Sequence, residues 1–220
     1  MTNTHALQSV EELTKPSGAL DLGRDPARLL VHLTRLLAHR GGPSPRQEAD
    51  QALVEAGIDQ QTARQLIPRW TERNSDGDIV GFGVTYNPTS HRMTVDDAQM
   101  WAWCAMDTLI FAIVLNQHVE VESTSPGSGE TVRLRVDPNG ILEAEPADAV
   151  VTFPARTNDQ VDISSTTAIW GTFCHHSFFF PSRADAEKWA AGRTDVEMLP
   201  LGEGFEIAER LAAGFLRYEA

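Results

Sequence analysis

The chain has 220 residues, enough for one domain with a sizeable core or for two small ones. Its 31 acidic and 18 basic residues give a net charge of −13, which argues against a partner that is a nucleic acid or a membrane surface, because both need clustered Lys and Arg. No signal peptide is visible, and the longest apolar run, residues 100–115, is too short to span a bilayer. We therefore expect a cytoplasmic protein in which two cysteines act as free thiols, ligands or catalytic groups.

Three helices are predicted after an N-terminal arm, residues 1–24, which has little periodicity. The first helix begins at Asp25 as N-cap and ends at the glycines 41–42, with a leucine stripe between them. The second spans residues 44–57, and the third begins at Asp59, with Pro68 expected to kink or shorten it.

A β-ribbon is predicted next, because "DIVGFGVTY" lies between the turn signals Asp76-Gly77 and Asn87-Pro88. Three helices and a ribbon are the layout of a winged helix-turn-helix, so residues 25–94 are predicted to form a winged-helix-like module. In so acidic a chain we favour a scaffold over a DNA reader for this module.

An α+β unit is predicted for residues 95–220. The stretch 95–117 is apolar on nearly every side and indicates one buried helix. Four short β-like runs follow, which predicts an antiparallel or mixed sheet packed on that helix. Two C-terminal helices, about 183–192 and 204–218, close the chain.

The stretch "MWAWCAMDTLIF" contains the first chemistry-bearing residues, Cys104 and Asp107. On one helix, three residues apart, they would share a face. Burial would raise the pKa of the carboxyl group, so that it could take a proton from a thiol and return it elsewhere. The alternative is a carboxylate bonded to a neighbouring loop beside a cysteine that is merely a small core residue.

The second thiol, Cys174, lies in another apolar segment, "IWGTFCHHSFFFPS". If the two segments converge, two thiols and a carboxyl group make a site for a soft, thiophilic metal. Zinc with His175 or His176 as further ligands and a Cys-His hydrolase dyad remain open. For the two histidines we prefer a structural interpretation, in which one is buried and hydrogen-bonded and the other is exposed.

Taken together, "WAWCAMDTLIF" and, seventy residues later, "FCHHSFFF" resemble the organomercurial lyases (alkylmercury lyases) of bacterial mercury resistance. The resemblance covers about residues 25–216 and implies that Cys104, Asp107 and Cys174 are the catalytic residues and hold product Hg(II). It implies protonolysis of a carbon–mercury bond to a hydrocarbon and Hg(II), with no cofactor. The partners implied are organomercury substrates, low-molecular-weight thiols and a mercuric reductase.

The resemblance also implies a hydrophobic pocket for the organic group, with candidates in five aromatic side chains: Trp101, Trp103, Phe111, Phe173 and Phe178. Plain core packing is the alternative for at least half of them. The chain departs from better-known family members in lacking additional cysteines, and His175 stands beside the second catalytic cysteine. This departure affects how Hg(II) is handed on.

Two other functions deserve comparison with a lyase. A metal-responsive winged-helix regulator would sense a thiophilic ion through its cysteines, but it would need a basic recognition surface. A non-catalytic paralogue would store Hg(II) or Cu(I), but storage needs thiols alone and gives no use for Asp107.

Overall fold

The computed structural model describes residues 11–155 and 161–219 of the chain. Three helices follow the N-terminal segment, as predicted: α1 (Arg24–Arg40), α2 (Arg46–Glu55) and α3 (Gln60–Trp70). Gly23, and not Asp25, is the N-cap of α1; Asp25 lies in the first turn, where its carboxylate still faces the positive end of the helix. Asp59 caps α3 as expected, and Pro68 lies inside that helix without ending it.

An eight-stranded antiparallel sheet forms the largest layer, in the order β1-β2-β3-β5-β4-β6-β7-β8. Its strands are β1 (Glu72–Arg73), β2 (Ile79–Phe82), β3 (Val84–Thr85), β4 (His91–Val95), β5 (Ala98–Ala102), β6 (Val119–Thr124), β7 (Thr131–Asp137) and β8 (Gly140–Glu145). The ribbon strands form one end of this sheet, which continues across the boundary predicted between residues 94 and 95. The chain has a mixed α+β fold. The strands predicted for the winged-helix-like module belong to the same eight-stranded sheet as β6 to β8 and do not form a separate sheet.

The prediction of one helix over residues 95–117 is wrong in its first part. Val95 ends β4, residues 98–102 form β5, and the helix α4 (Ala105–Leu115) begins only after Cys104. Met100 and Ala102 are buried while Gln99 and Trp101 are more exposed, and β5 bonds to strands on both sides. Pairing with these two strands therefore outweighs the helical pattern of the apolar residues. The remainder, α4, is a buried helix as predicted.

A second, three-stranded antiparallel sheet has the order β10-β9-β11, with β9 (Val150–Pro154), β10 (Phe179–Phe180) and β11 (Val196–Pro200). Around it lie α5 (Thr166–Thr172), a 3₁₀ turn (Cys174–His176), α6 (Arg183–Trp189) and α7 (Leu201–Leu216). The last two are the predicted C-terminal helices, with α7 beginning three residues early. The helix α7 packs directly on α4, at the centre of a continuous buried core.

The N-terminal segment of residues 11–23 packs against the end of α7. Leu13 is buried, the Arg217 guanidinium donates to the Thr14 carbonyl (2.7 Å), and the Tyr218 hydroxyl donates to Asp21 Oδ1 (3.0 Å). The first ten residues of the predicted arm lie outside the described residues. Among the helices described, none is both long and apolar enough to cross a membrane.

Candidate active site

Cys104 stands at the junction between β5 and α4, where it is the N-cap of the helix. The backbone N–H of Asp107 donates to Cys104 Sγ, and the backbone N–H of Cys104 donates to Asp107 Oδ2 (3.1 Å). This is a capping box in which a sulfur replaces the usual Ser or Thr oxygen. The two side chains therefore meet because they cap the helix, and not because they share a face within it.

Cys174 reaches the same place from the other end of the chain, as the first residue of the 3₁₀ turn after α5. Its sulfur, the sulfur of Cys104 and a carboxylate oxygen of Asp107 all lie within 4.8 Å of one another. Both cysteines are buried free thiols, as predicted. Over the described part of the chain, this is the single group of three or more His, Cys, Asp and Glu side chains close enough to share a metal ion. The geometry suits a soft metal held by thiolates.

Burial dominates the electrostatics of this cluster. It raises the pKa of Asp107 to about 7, although hydrogen bonds with the side chain and backbone of Cys104 partly oppose it. The Cys104 pKa is also raised by burial, against which a hydrogen bond with Cys174 acts; the Cys174 pKa lies well above its ordinary value. Near neutral pH the carboxyl group can thus exist in its protonated or its ionised form, beside two thiols whose raised pKa values keep them protonated. Such a group can both accept and return a proton.

An apolar cavity, open to solvent on one side, adjoins the cluster, and Asp107 is its one ionisable lining residue among those described. The remaining lining is Leu20, Leu22, Leu30, Phe82, Gly83, Trp103, Ile110, Phe111, Ile163, Ile169, Phe173, Leu211 and Phe215. Three of the five aromatic candidates, Trp103, Phe111 and Phe173, are therefore at the cavity. Of the other two, Trp101 lies along β5 and is partly exposed, and Phe178 packs on Trp189.

Sequence reasoning missed most of the cavity wall, and half of the missed residues come from the N-terminal segment, from α7 and from Gly83. Gly83 has a φ of +77°, and a Cβ there would lie 2.3 Å from Phe111 Cζ, so the Phe111 ring packs directly on the glycine. The glycine in "GFGVTY" was a visible signal for a tight backbone approach. No comparable signal marks Leu20 or Phe215, since apolar residues far apart in sequence reveal nothing of a shared cavity.

The two histidines after Cys174 lie outside the cluster. His176 is buried with its Nε2 2.9 Å from Asp195 Oδ2, while His175 is exposed and its ring contacts Trp170 at a centroid distance of 5.4 Å. The preferred interpretation, with one buried and bonded and the other exposed, is confirmed. Neither of them joins the group that could hold a metal ion.

Comparison with known proteins identifies a family of similar sequences. The sequence model of the alkylmercury lyase family matches residues 84–213. An alkylmercury lyase of Staphylococcus epidermidis is 33% identical over 189 residues, 85% of this chain and 81% of that protein. One from Pseudomonas putida is 32% identical over 202 residues, 90% of this chain and 91% of that protein.

A solved structure has the same fold. The crystal structure of the mercury-bound form of MerB2 superimposes with a TM-score of 0.73 at 19% identity, over 94% of this chain and 99% of that one. At such identity the likeness concerns the fold, while the sequence matches carry the family. The chain therefore belongs to the alkylmercury lyases, the family of enzymes that cleave the carbon–mercury bond.

Proposed function

We propose that Cys104, Cys174 and Asp107 carry out protonolysis of organomercury compounds, R–Hg–X, to a hydrocarbon and Hg(II). The observation that carries this proposal is the convergence of two thiols and a carboxyl group within 4.8 Å beside an apolar cavity. Two thiolates are the ligands that a soft metal prefers, and the carboxyl group supplies the proton that the carbon needs.

Cys104 is the first nucleophile in this proposal, because its sulfur accepts hydrogen bonds from the Asp107 backbone and from Cys174 and lies at a helix N-terminus. The Asp107 carboxylate takes the Cys104 proton, the thiolate bonds to mercury, and the displaced group X leaves with that proton. The carboxylate is thereby regenerated for a second transfer.

Cys174 then gives its proton to Asp107 and bonds to the same mercury atom. Two thiolates push electron density through mercury onto the carbon, which makes that carbon basic enough to be protonated. Asp107 transfers the proton to the carbon as the carbon–mercury bond breaks. The products are RH and Hg(II) bound by two sulfurs, and no electron is gained or lost overall. A resident cofactor is accordingly not needed for this chemistry.

The organic group occupies the apolar cavity, with its carbon toward Asp107. Trp103, Phe111 and Phe173 supply aromatic surface for methyl, alkyl or phenyl groups. A cavity of this composition also keeps water from the reacting atoms, so that the carbon does not compete with solvent for the proton.

Product Hg(II) leaves by exchange onto low-molecular-weight thiols or a mercuric reductase, because the chain has only two cysteines and no third thiol to relay it. We further propose that residues 25–94 serve as scaffold. Most of the leucines of α1 are buried in the same core as α4, so the apolar face of α1 is used for packing. A regulator would instead need a basic surface for DNA, and the net charge of −13 disfavours it.

Benzene release from phenylmercury in excess thiol, followed by gas chromatography, tests the proposal. We expect turnover by the wild type, none by Cys104→Ala or Cys174→Ala, and strong impairment in Asp107→Ala. His175→Ala is the matched control next to Cys174 and should keep its activity, since His175 lies outside the cluster. A folded wild-type sample that releases no benzene would contradict the proposal, and tight, salt-sensitive DNA binding in a gel shift would favour the regulator.

A further inference from the structure

Ser177 links the two cysteine-bearing segments, although its side chain belongs to neither the cluster nor the cavity wall. It follows the 3₁₀ turn that begins with Cys174, and it is completely buried. The mechanism above makes no use of it, so its burial and its bonds call for a separate explanation.

Three hydrogen bonds attach Ser177 to the backbone around both thiols. Its carbonyl accepts from the Ala105 N–H (3.2 Å) and its Oγ accepts from the Met106 N–H (3.0 Å). Its own N–H donates to the Cys174 carbonyl (3.2 Å). One residue is thus bonded to the two positions after Cys104 and to Cys174 itself.

The first N–H groups of a helix lack intrahelical partners and need acceptors from elsewhere. In α4 the N–H of Asp107 donates to Cys104 Sγ, and Ser177 accepts the N–H groups of the two preceding residues. All three donors are therefore assigned, with one directed at the reacting sulfur. Loss of the Ser177 hydroxyl would leave the buried Met106 N–H without its acceptor, and the start of α4 would have to shift to find another.

Ser177 is itself held in place from the other side. The next residue, Phe178, donates its N–H to Thr152 Oγ1 (3.0 Å) and accepts from the Thr152 N–H (2.9 Å). Thr152 lies in β9, at the centre of the three-stranded sheet. The bonds of Ser177 therefore connect the start of α4 to a rigid strand, and not to a free loop.

We propose that Ser177 is a positioning residue that sets the separation between the sulfurs of Cys104 and Cys174. It touches neither mercury nor substrate; it acts by fixing the backbone beside each sulfur. A metal that prefers two sulfurs in a linear arrangement tolerates little error in their separation. This inference rests on the proposed roles of the two cysteines and adds the residue that makes them act on one atom.

The test compares Ser177→Ala, Ser177→Thr and Ser182→Ala with the wild type. Ser182 is the matched control, because its Oγ likewise accepts a helix N-terminal N–H, that of Asp185 in α6, outside the cysteine cluster. Affinity for Hg(II) is measured by competition with a small dithiol, sulfur ligation by X-ray absorption, and kcat and KM with phenylmercury.

In Ser177→Ala we expect the Hg(II) affinity to fall about 10- to 100-fold, as for loss of an outer-shell partner. The kcat should fall by up to about 100-fold with little change in KM, because the cavity is intact while the reacting atoms are misplaced. X-ray absorption should show protein sulfur neighbours decreasing from two toward one. Ser177→Thr keeps the hydroxyl and should restore the Hg(II) affinity and kcat. Ser182→Ala should change neither the affinity nor kcat.

A Ser177→Ala variant that binds Hg(II) through two protein sulfurs and turns over like the wild type would overturn the inference. So would equal losses in Ser182→Ala, which would point to general destabilisation. If the Ala variant does not fold, a folded Ser177→Thr that binds Hg(II) no better than Cys174→Ala would also overturn it. Failure of the proposed function is distinguishable, since it would appear as absent turnover in the wild type.

Discussion

A sulfur atom at a helix N-cap gives Cys104 two functions in one position. As a neutral thiol it is a weak hydrogen-bond acceptor for the Asp107 N–H, and as a thiolate it is a strong one at the positive end of α4. Proton transfer from Cys104 to Asp107 therefore strengthens one bond of the capping box as it weakens the reciprocal one. The charge moves between two groups that the helix terminus already holds in contact.

The raised pKa of Asp107 predicts a dependence of stability on pH. The folded protein holds this proton up to about pH 7, whereas the unfolded chain releases it near 3.9. The contribution of Asp107 to the free energy of unfolding is therefore fully present below pH ~4 and is lost as pH rises to about 7. Asp107→Asn abolishes this loss, and its amide oxygen can still accept from the Cys104 N–H.

We expect Asp107→Asn to gain stability relative to the wild type by about 1.4 kcal/mol per pH unit between pH 5 and 6, and by less per unit as the pH approaches 7, where the folded carboxyl group itself ionises. Guanidinium unfolding of both proteins at several pH values, with the thiols kept reduced, measures this difference. Parallel stability curves across that range would mean that the carboxyl group is not desolvated.

The same carboxyl group predicts the pH profile of the reaction. Because the free enzyme needs an ionised Asp107 to accept the first thiol proton, kcat/KM for phenylmercury should rise through an apparent pKa near 7. Rates measured from pH 5 to 8.5 check this expectation. The residual activity of Asp107→Asn should not show this rise with pH. A wild-type profile that is flat across pH 7 would exclude Asp107 as the base.

At the scale of elements, the approach of the β2–β3 turn to α4 shapes the cavity. Gly83 lies in this turn, and the Phe111 ring packs on it from α4. Gly77 offers a matched control, since it also has a positive φ (+87°), but a Cβ there would meet nothing within 4 Å.

Alanine at either glycine should lower the free energy of unfolding by about 1–2 kcal/mol, because the backbone there is left-handed. Gly83→Ala should cost about 1–3 kcal/mol more by overpacking against Phe111, and the displaced ring should raise KM for phenylmercury. Chemical denaturation and steady-state kinetics test both effects. Equal losses in the two variants, with unchanged KM, would show that the ring yields freely.

Elements also show what could be predicted locally. The helices α1 to α3 and the strands β6 to β9 were predicted because their periodicity and turn residues agree with their tertiary surroundings. The β5–α4 junction was not, because the apolar residues 100–103 fit a helix as well as a strand. Residues 98–102 form a strand because they pair with β3 and β4, and no local sequence pattern predicts that pairing.

For the molecule as a whole, the N-terminal segment of residues 11–23 and the helix α7 meet beside the cavity. Leu20 and Leu22 of the N-terminal segment and Phe215 of α7 all line it, and the Tyr218 hydroxyl joins the two elements through Asp21. We therefore expect reagents to reach the buried thiols more readily when residues 11–23 are held less firmly.

The two tyrosines of the chain permit a matched test. Tyr218→Phe removes the bond to Asp21 and should speed iodoacetamide alkylation of Cys104 and Cys174 severalfold, as the N-terminal segment opens more often. Tyr86→Phe removes a bond to the Leu37 carbonyl (2.9 Å), which should cost about 1 kcal/mol without changing the labelling rate. Mass spectrometry follows the labelling; equal rates in the three proteins would show that the Asp21–Tyr218 bond does not control access.

Residue identities alone specify the reactive groups of this protein, two thiols and one carboxyl group in an apolar run, and the motifs around them are long enough to indicate a family. Residue types and local spacing carry that information directly. Folding of the whole chain is what brings Cys174 beside Cys104, lets Asp107 meet its thiol through a helix cap, and adds residues of the N-terminal segment and of α7 to the cavity wall. Distances between residues seventy or more apart, and the desolvation that shifts their pKa values, arise from packing of the whole chain, which no local pattern records.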